Sequence, residues 1–141
     1  MRHSEVRAAI VAIVSGLTRD TDGGEGDRLV HVTSHGGDPE TAPSGAFRVA
    51  LATQPQRHEL TTYDSWIVEH QLTIYHPHSP DIEDRIGALS ERLDIALERA
   101  HETYAEINTC TCEPAGVDDL THLVASRYSV VTHYRLTASL L

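Results

Sequence analysis

The side chains with chemical potential in this chain are its ten histidines and two cysteines. His76 and His78 flank Pro77. With His70 and a cysteine they would supply the three or four donors that a zinc ion takes. The pattern argues against that use. His76-x-His78 falls in a turn, and no H-E-x-x-H or C-x-x-C accompanies it. A histidine-rich polar turn without metal is the expectation. His70 sits among apolar residues at strand spacing, which predicts a hydrogen-bonded core or edge residue and not a general base. Cys110-Thr111-Cys112 places both sulfurs on one strand face, with Cα atoms roughly 7 Å apart, where a mutual disulfide would be strained. Buried reduced thiols are expected. A nucleophilic cysteine would need a lowered pKa and a neighbouring base, and nothing in the sequence supplies either.

Other chemical motifs are missing. There is no G-x-S-x-G, no P-loop and no G-x-G-x-x-G. Gly23-Gly24-Glu25-Gly26 carries acids that would repel phosphate. Asp118-Asp119 has no acid/base geometry of its own. No catalytic, cofactor-binding or metal-binding residue is assigned, and the chain is not expected to be an enzyme.

The elements that must position these residues follow from hydropathy. Trp66, Val68, Leu72 and Ile74, with His70, share one face at period two; Glu69, Gln71 and Thr73 share the other. After this long strand comes the turn His76-Pro77-His78-Ser79-Pro80, in which Ser79 is the predicted N-cap and Pro80 the first helical residue. Ile82, Ile86, Leu89, Leu93, Ala96, Leu97, Ala100 and Tyr104 then form the inner stripe of a helix predicted to run to Tyr104, about 37 Å long. Before these elements, a first helix is predicted over roughly residues 3–17, a short strand over 28–33 and a second strand over 46–53. Residues 54–59 are predicted to be a polar connection, in a region where an arm could project. After the long helix, a fourth strand is predicted over 106–113, broken by Pro114-Ala115-Gly116, and a final strand over about 122–137. The order is α-β-β-β-α-β-β. The economical fold is α+β in two layers: one mixed or antiparallel sheet with the long helix and the N-terminal helix packed on one face.

The bulk numbers set bounds. A chain of 141 residues with 40% hydrophobic and 23% charged residues is one globular domain, residues 1–141. Its formal charge is −10, from 21 acids against 11 basic residues, which disfavours a phosphate-gripping nucleic-acid binder. All the basic residues are arginine, as a G+C-rich coding sequence would give. No apolar run is long enough to cross a membrane. Residues 8–14 resemble a signal-peptide core only faintly: Glu5 precedes them and no small-residue cleavage site follows.

One charge pattern stands out. Arg85, Arg92 and Arg99 recur every seven residues along an edge of the helix stripe, with Ile95 pointing outward. Snorkelling at the core edge is the plain explanation. A seam that meets an acidic face on another copy is the alternative.

The element order and two segments carry a resemblance. The segments are Trp66-Ile67-Val68-Glu69-His70-Gln71-Leu72-Thr73-Ile74-Tyr75, leading through the proline turn into the long helix, and Tyr128-Ser129-Val130-Val131-Thr132-His133-Tyr134-Arg135-Leu136. With the N-terminal helix before them, the chain resembles the tail terminator (tail completion) proteins of long-tailed bacteriophages over most of its length. The resemblance implies a structural virion protein at the tail–neck junction, assembled in the host cytoplasm. It implies a homohexameric ring that caps the tail tube and stops its elongation, contacting the major tail-tube protein and a head-completion or connector protein. DNA would pass through the lumen without specific binding, which the acidic composition suits. No cofactor and no membrane are implied. Candidate interface residues are Arg85, Arg92, Arg99 and Ile95 on the helix, and Arg57, His58 and Glu59 at the polar connection; the loops at 18–27, 34–45 and 54–63 are candidate contacts. Competing expectations are another neck protein, a small metal-dependent enzyme using His70, His76, His78 and a cysteine, and a ligand-binding or regulatory α+β domain.

Overall fold

A computed structural model describes residues 1–18, 28–32, 45–58 and 65–136. The elements are α1 (His3–Ser15), β1 (Val30–His31), β2 (Ala46–Arg57), β3 (Ser65–Pro77), α2 (Ile82–Glu98), α3 (Ala100–Thr103), β4 (Ile107–Asp119) and β5 (Leu123–Arg135). The five strands form one sheet in the order β1-β2-β3-β5-β4. β1 pairs with β2 in parallel and every other pair is antiparallel. The fold is α+β, and its elements follow the order read from the sequence.

The two segments with the strongest period-two pattern are the centre of this sheet. β3 and β5 pair without a break from Ser65 opposite Arg135 to Pro77 opposite Leu123. Their even-numbered residues face the helices: Val68, Leu72 and Ile74 from β3, and Tyr128, Val130 and Tyr134 from β5 are all buried. α1 packs on β2 and on α2, and α2 covers β4. Leu89, Leu93 and Leu97 project from α2 at helical spacing and are completely buried. Val6, Ile10 and Val14 of α1 join the same core. On the opposite sheet face, Ala46, Tyr75, Leu123 and Ala125 form a second, smaller apolar cluster with Val32 and Leu120 beside it.

Several boundaries depart from the sequence expectations. Ser79 does not cap α2. Its hydroxyl donates to the Asp81 carboxylate at 2.8 Å, which also takes the Arg85 guanidinium at 3.1 Å, and the helix starts at Ile82. The acid beside Ser79 competes for the hydroxyl that would otherwise serve the first turn. The long helix does not run unbroken to Tyr104. It tightens at Arg99, where the Glu102 N–H reaches the Arg99 carbonyl three residues back, and continues as the single turn α3.

Two prolines expected to stop strands lie within them. β2 runs through Pro55, and β4 runs through Pro114 to Asp119. Both are edge positions. β1 pairs only with Ala46 and Phe47, leaving the rest of that flank of β2 without a strand partner among the described residues, and β4 ends the sheet. A missing N–H costs nothing on an unpaired flank. The register of β4 slips between Pro114 and Gly116, and Gly116 absorbs the extra residue with φ +146°. The first strand is shorter than expected, two residues instead of six.

Candidate functional site

Among the described residues, His70, His76 and His78 do not converge with a cysteine on one site. The His76 ring is buried and bonded to the Ser126 hydroxyl at 2.8 Å. His78 is exposed, with its ring 2.8 Å from the Leu120 carbonyl. His70 is 2% exposed on the helix-facing side of β3, and its Nδ1 has no hydrogen-bond partner among the described residues. Burial, reinforced by the nearby Arg7 guanidinium, lowers its pKa to about 4. The same two causes lower that of His31. Arg7 is fixed there by donating to the Val49 carbonyl at 2.8 Å, so one α1 cation adds to burial in disfavouring the charged form of both imidazoles. Among the described residues, no group of three or more His, Cys, Asp or Glu is placed to hold a metal.

The cysteines are buried and unbridged. Cys110 touches the Thr132 hydroxyl at 3.6 Å. Burial raises the Cys110 thiol, and burial together with Cys110, Asp94 and Glu113 raises Cys112 to about 12. Both are held as thiols at neutral pH, opposite to what a nucleophile needs.

The three arginines of the proposed seam are not equivalent. Arg85 and Arg99 are exposed and pair within their own helical segment, with Asp81 and Glu102. Arg92 turns towards α1 and donates to the Thr18 carbonyl at 2.7 Å. Ile95 points outward and is 56% exposed. Arg57, at the end of β2, lies over the Trp66 ring at 5.7 Å. The His58 N–H bonds the Ser65 carbonyl, closing the β2–β3 ladder, and its ring meets that of His133 at 5.3 Å. Glu59 lies outside the described residues, as do residues 19–27, 34–44 and 59–63 of the candidate contact loops.

Among the described residues, the large exposed apolar side chains divide between opposite flanks of the sheet. Val30 of β1 and Leu51 of β2 stand at one end of the strand order, 62% and 54% exposed. Val117 of β4 stands at the other end, and Ile95 belongs to the helix packed over β4. Sequence reading found Ile95 and missed Leu51 and Val117. Leu51 alternates correctly for its strand, and only the sheet order leaves it exposed; Val117 falls beyond the proline break where the sequence reading ended the fourth strand, and β4 in fact continues through it. No helix among the described residues is long and apolar enough to cross a membrane.

Comparisons with protein-family models and with curated proteins return no match.

Proposed function

We propose that this chain is a ring-forming assembly subunit of the tail-terminator type. Copies join flank to flank around a lumen, cap a phage tail tube and present a surface to the head connector. The observation that carries the reading is the split of exposed apolar residues between two unlike flanks. A closed ring of identical subunits uses a heterologous contact, in which each copy offers two different patches to its neighbours; an isologous dimer would need only one. The β1–β2 flank, with Leu51, meets the β4–α2 flank, with Ile95 and Val117, of the next copy.

Other features support the same role. The two segments that carry the resemblance are the central strand pair and the main helix of the fold, so it rests on the framework and not on loops. Arg85 and Arg99, exposed on or just beyond α2, belong to the second patch, and Arg57 and His58 border the first. The formal charge of −10 keeps a lumen from gripping passing DNA. Six copies, the tube protein and the connector protein are the proposed assembly, located at the tail–neck junction of the virion.

The test uses two variants that each spoil one flank. Leu51→Asp and Ile95→Asp alter exposed side chains and are expected to fold normally. Each alone is expected to abolish the hexamer. Mixed together, each supplies the flank the other lacks, so a heterodimer without rings is expected by native mass spectrometry. Unchanged hexamers from either variant would refute this flank assignment.

A further inference from the structure

The open face of the sheet carries a polar pocket that none of the interface reasoning uses. It is a cavity of about 210 Å³ spanning β2, β3, β5 and the β4 turn. The register explains why it forms. Arg48 stands opposite Thr73, and Thr73 stands opposite Arg127, so the two arginines flank one threonine in a single row across three strands. With strands spaced at about 4.8 Å, their Cα atoms are roughly 10 Å apart, and both side chains line the pocket. The neighbouring positions Ala50 and Ala125 are small, which leaves a dip in the sheet surface. Gln71 lines one side of the dip, and Tyr75 and Leu120 line the other.

Arg127 is held in place. Asp118 takes one edge of its guanidinium, at 2.9 Å from Nε and 3.5 Å from Nη2. Its Nη2 lies where a side chain on residue 116 would begin: a Cβ there would sit 2.7 Å away. Gly116 thus leaves room for the guanidinium to lie across β4. The Asp118 contact at Nε is an ion pair without hydrogen-bond alignment, so the buried Nε has no hydrogen-bond partner among the described residues. Arg48 is half-buried and has neither a hydrogen-bond nor an ion-pair partner among them. In a chain with a formal charge of −10, two arginines lining one pocket, with Asp118 paired to Arg127 alone, are a local reversal of sign.

We propose that this pocket binds a small oxyanion, a carboxylate or a phosphate group, clamped between Arg48 and Arg127. The Thr73 hydroxyl and the Gln71 amide supply further donors, and Tyr75, Leu120 and Ala125 accept a short apolar body. The volume is below that of clefts that take drug-sized ligands, so the ligand is a small acid or a single acidic side chain.

The test is a titration with inorganic phosphate, and separately with acetate, at constant ionic strength, following the arginine Nε–H resonances by NMR. Saturable shifts confined to Arg48 and Arg127 are expected. Arg48→Gln should weaken the apparent affinity at least tenfold while leaving the rest of the spectrum unchanged. Gly116→Ala, which displaces the Arg127 guanidinium, should weaken it as well. The source of the oxyanion is read in parallel from the oligomeric state. If phosphate dissociates oligomers at the concentration that saturates the two arginines, the natural oxyanion is a carboxylate of a second copy. If oligomers are unaffected, it is a free small molecule. Linear shifts shared by the arginines in general, or saturation unchanged by Arg48→Gln, would overturn the proposal. Neither result depends on whether the chain caps a tail tube.

Discussion

Arg92 of α2 donates to the main-chain carbonyl of Thr18, 74 residues earlier, and ties the end of the first helical region to the middle of the second. Seven-residue spacing groups Arg92 with Arg85 and Arg99, but those two pair at the surface within their own helical segment, with Asp81 and Glu102. A charged hydrogen bond of this kind contributes about 1.5–3 kcal/mol when partly shielded from water. Arg92→Ala is therefore expected to lower the unfolding free energy measured in urea by an amount in that range. Arg99→Ala should change it by less than about 0.5 kcal/mol, as exposed ion pairs do. Equal effects from the two substitutions would show that Arg92 is a surface residue like its neighbours.

Stability should fall on acidification through His70. Its folded-state pKa, about 4, is below the ordinary value of 6.5, so the unfolded chain takes up a proton that the folded chain refuses. The contribution is intact above pH 6.5, is lost as pH falls towards 4, and is constant below that. Its size is on the order of 3 kcal/mol. His70→Leu removes this term, so the stability difference between variant and parent should shift in the variant's favour by that amount between pH 7 and pH 4. His31 and His133, also held low by burial, act in the same direction and remain in both proteins. A difference that is flat with pH would mean that His70 protonates freely in the folded state.

The cysteines give a kinetic prediction. Cys110 and Cys112 are 3% and 8% exposed, and burial favours the thiol form in each. Labelling by a disulfide reagent at pH 8 should be slow and should accelerate in urea along the unfolding curve. Fast labelling of either residue in native buffer would mark it as reactive and reopen the enzymatic reading.

How much of this was legible beforehand depends on what each feature needs. The β3 and β5 patterns and the leucines of α2 are local, so period two and period 3.6 placed them correctly. Pro55 and Pro114 were misread because their tolerance depends on which strand lies beside them, and a sequence does not say which strands are edges. The Ser79 cap failed for a related reason: Asp81 outcompeted the helix for its hydroxyl. The pocket between Arg48 and Arg127 was invisible. Each arginine reads as an ordinary outward residue of its own strand, and only the register across Thr73 brings them together.

Native mass spectrometry of the full chain, purified without chelator and read across a concentration series, tests the ring most directly. A metal-free hexamer that appears annular by electron microscopy is expected. A chain that remains a monomer or a symmetric dimer at every concentration, and still does so when mixed with tail-tube ends, would contradict it.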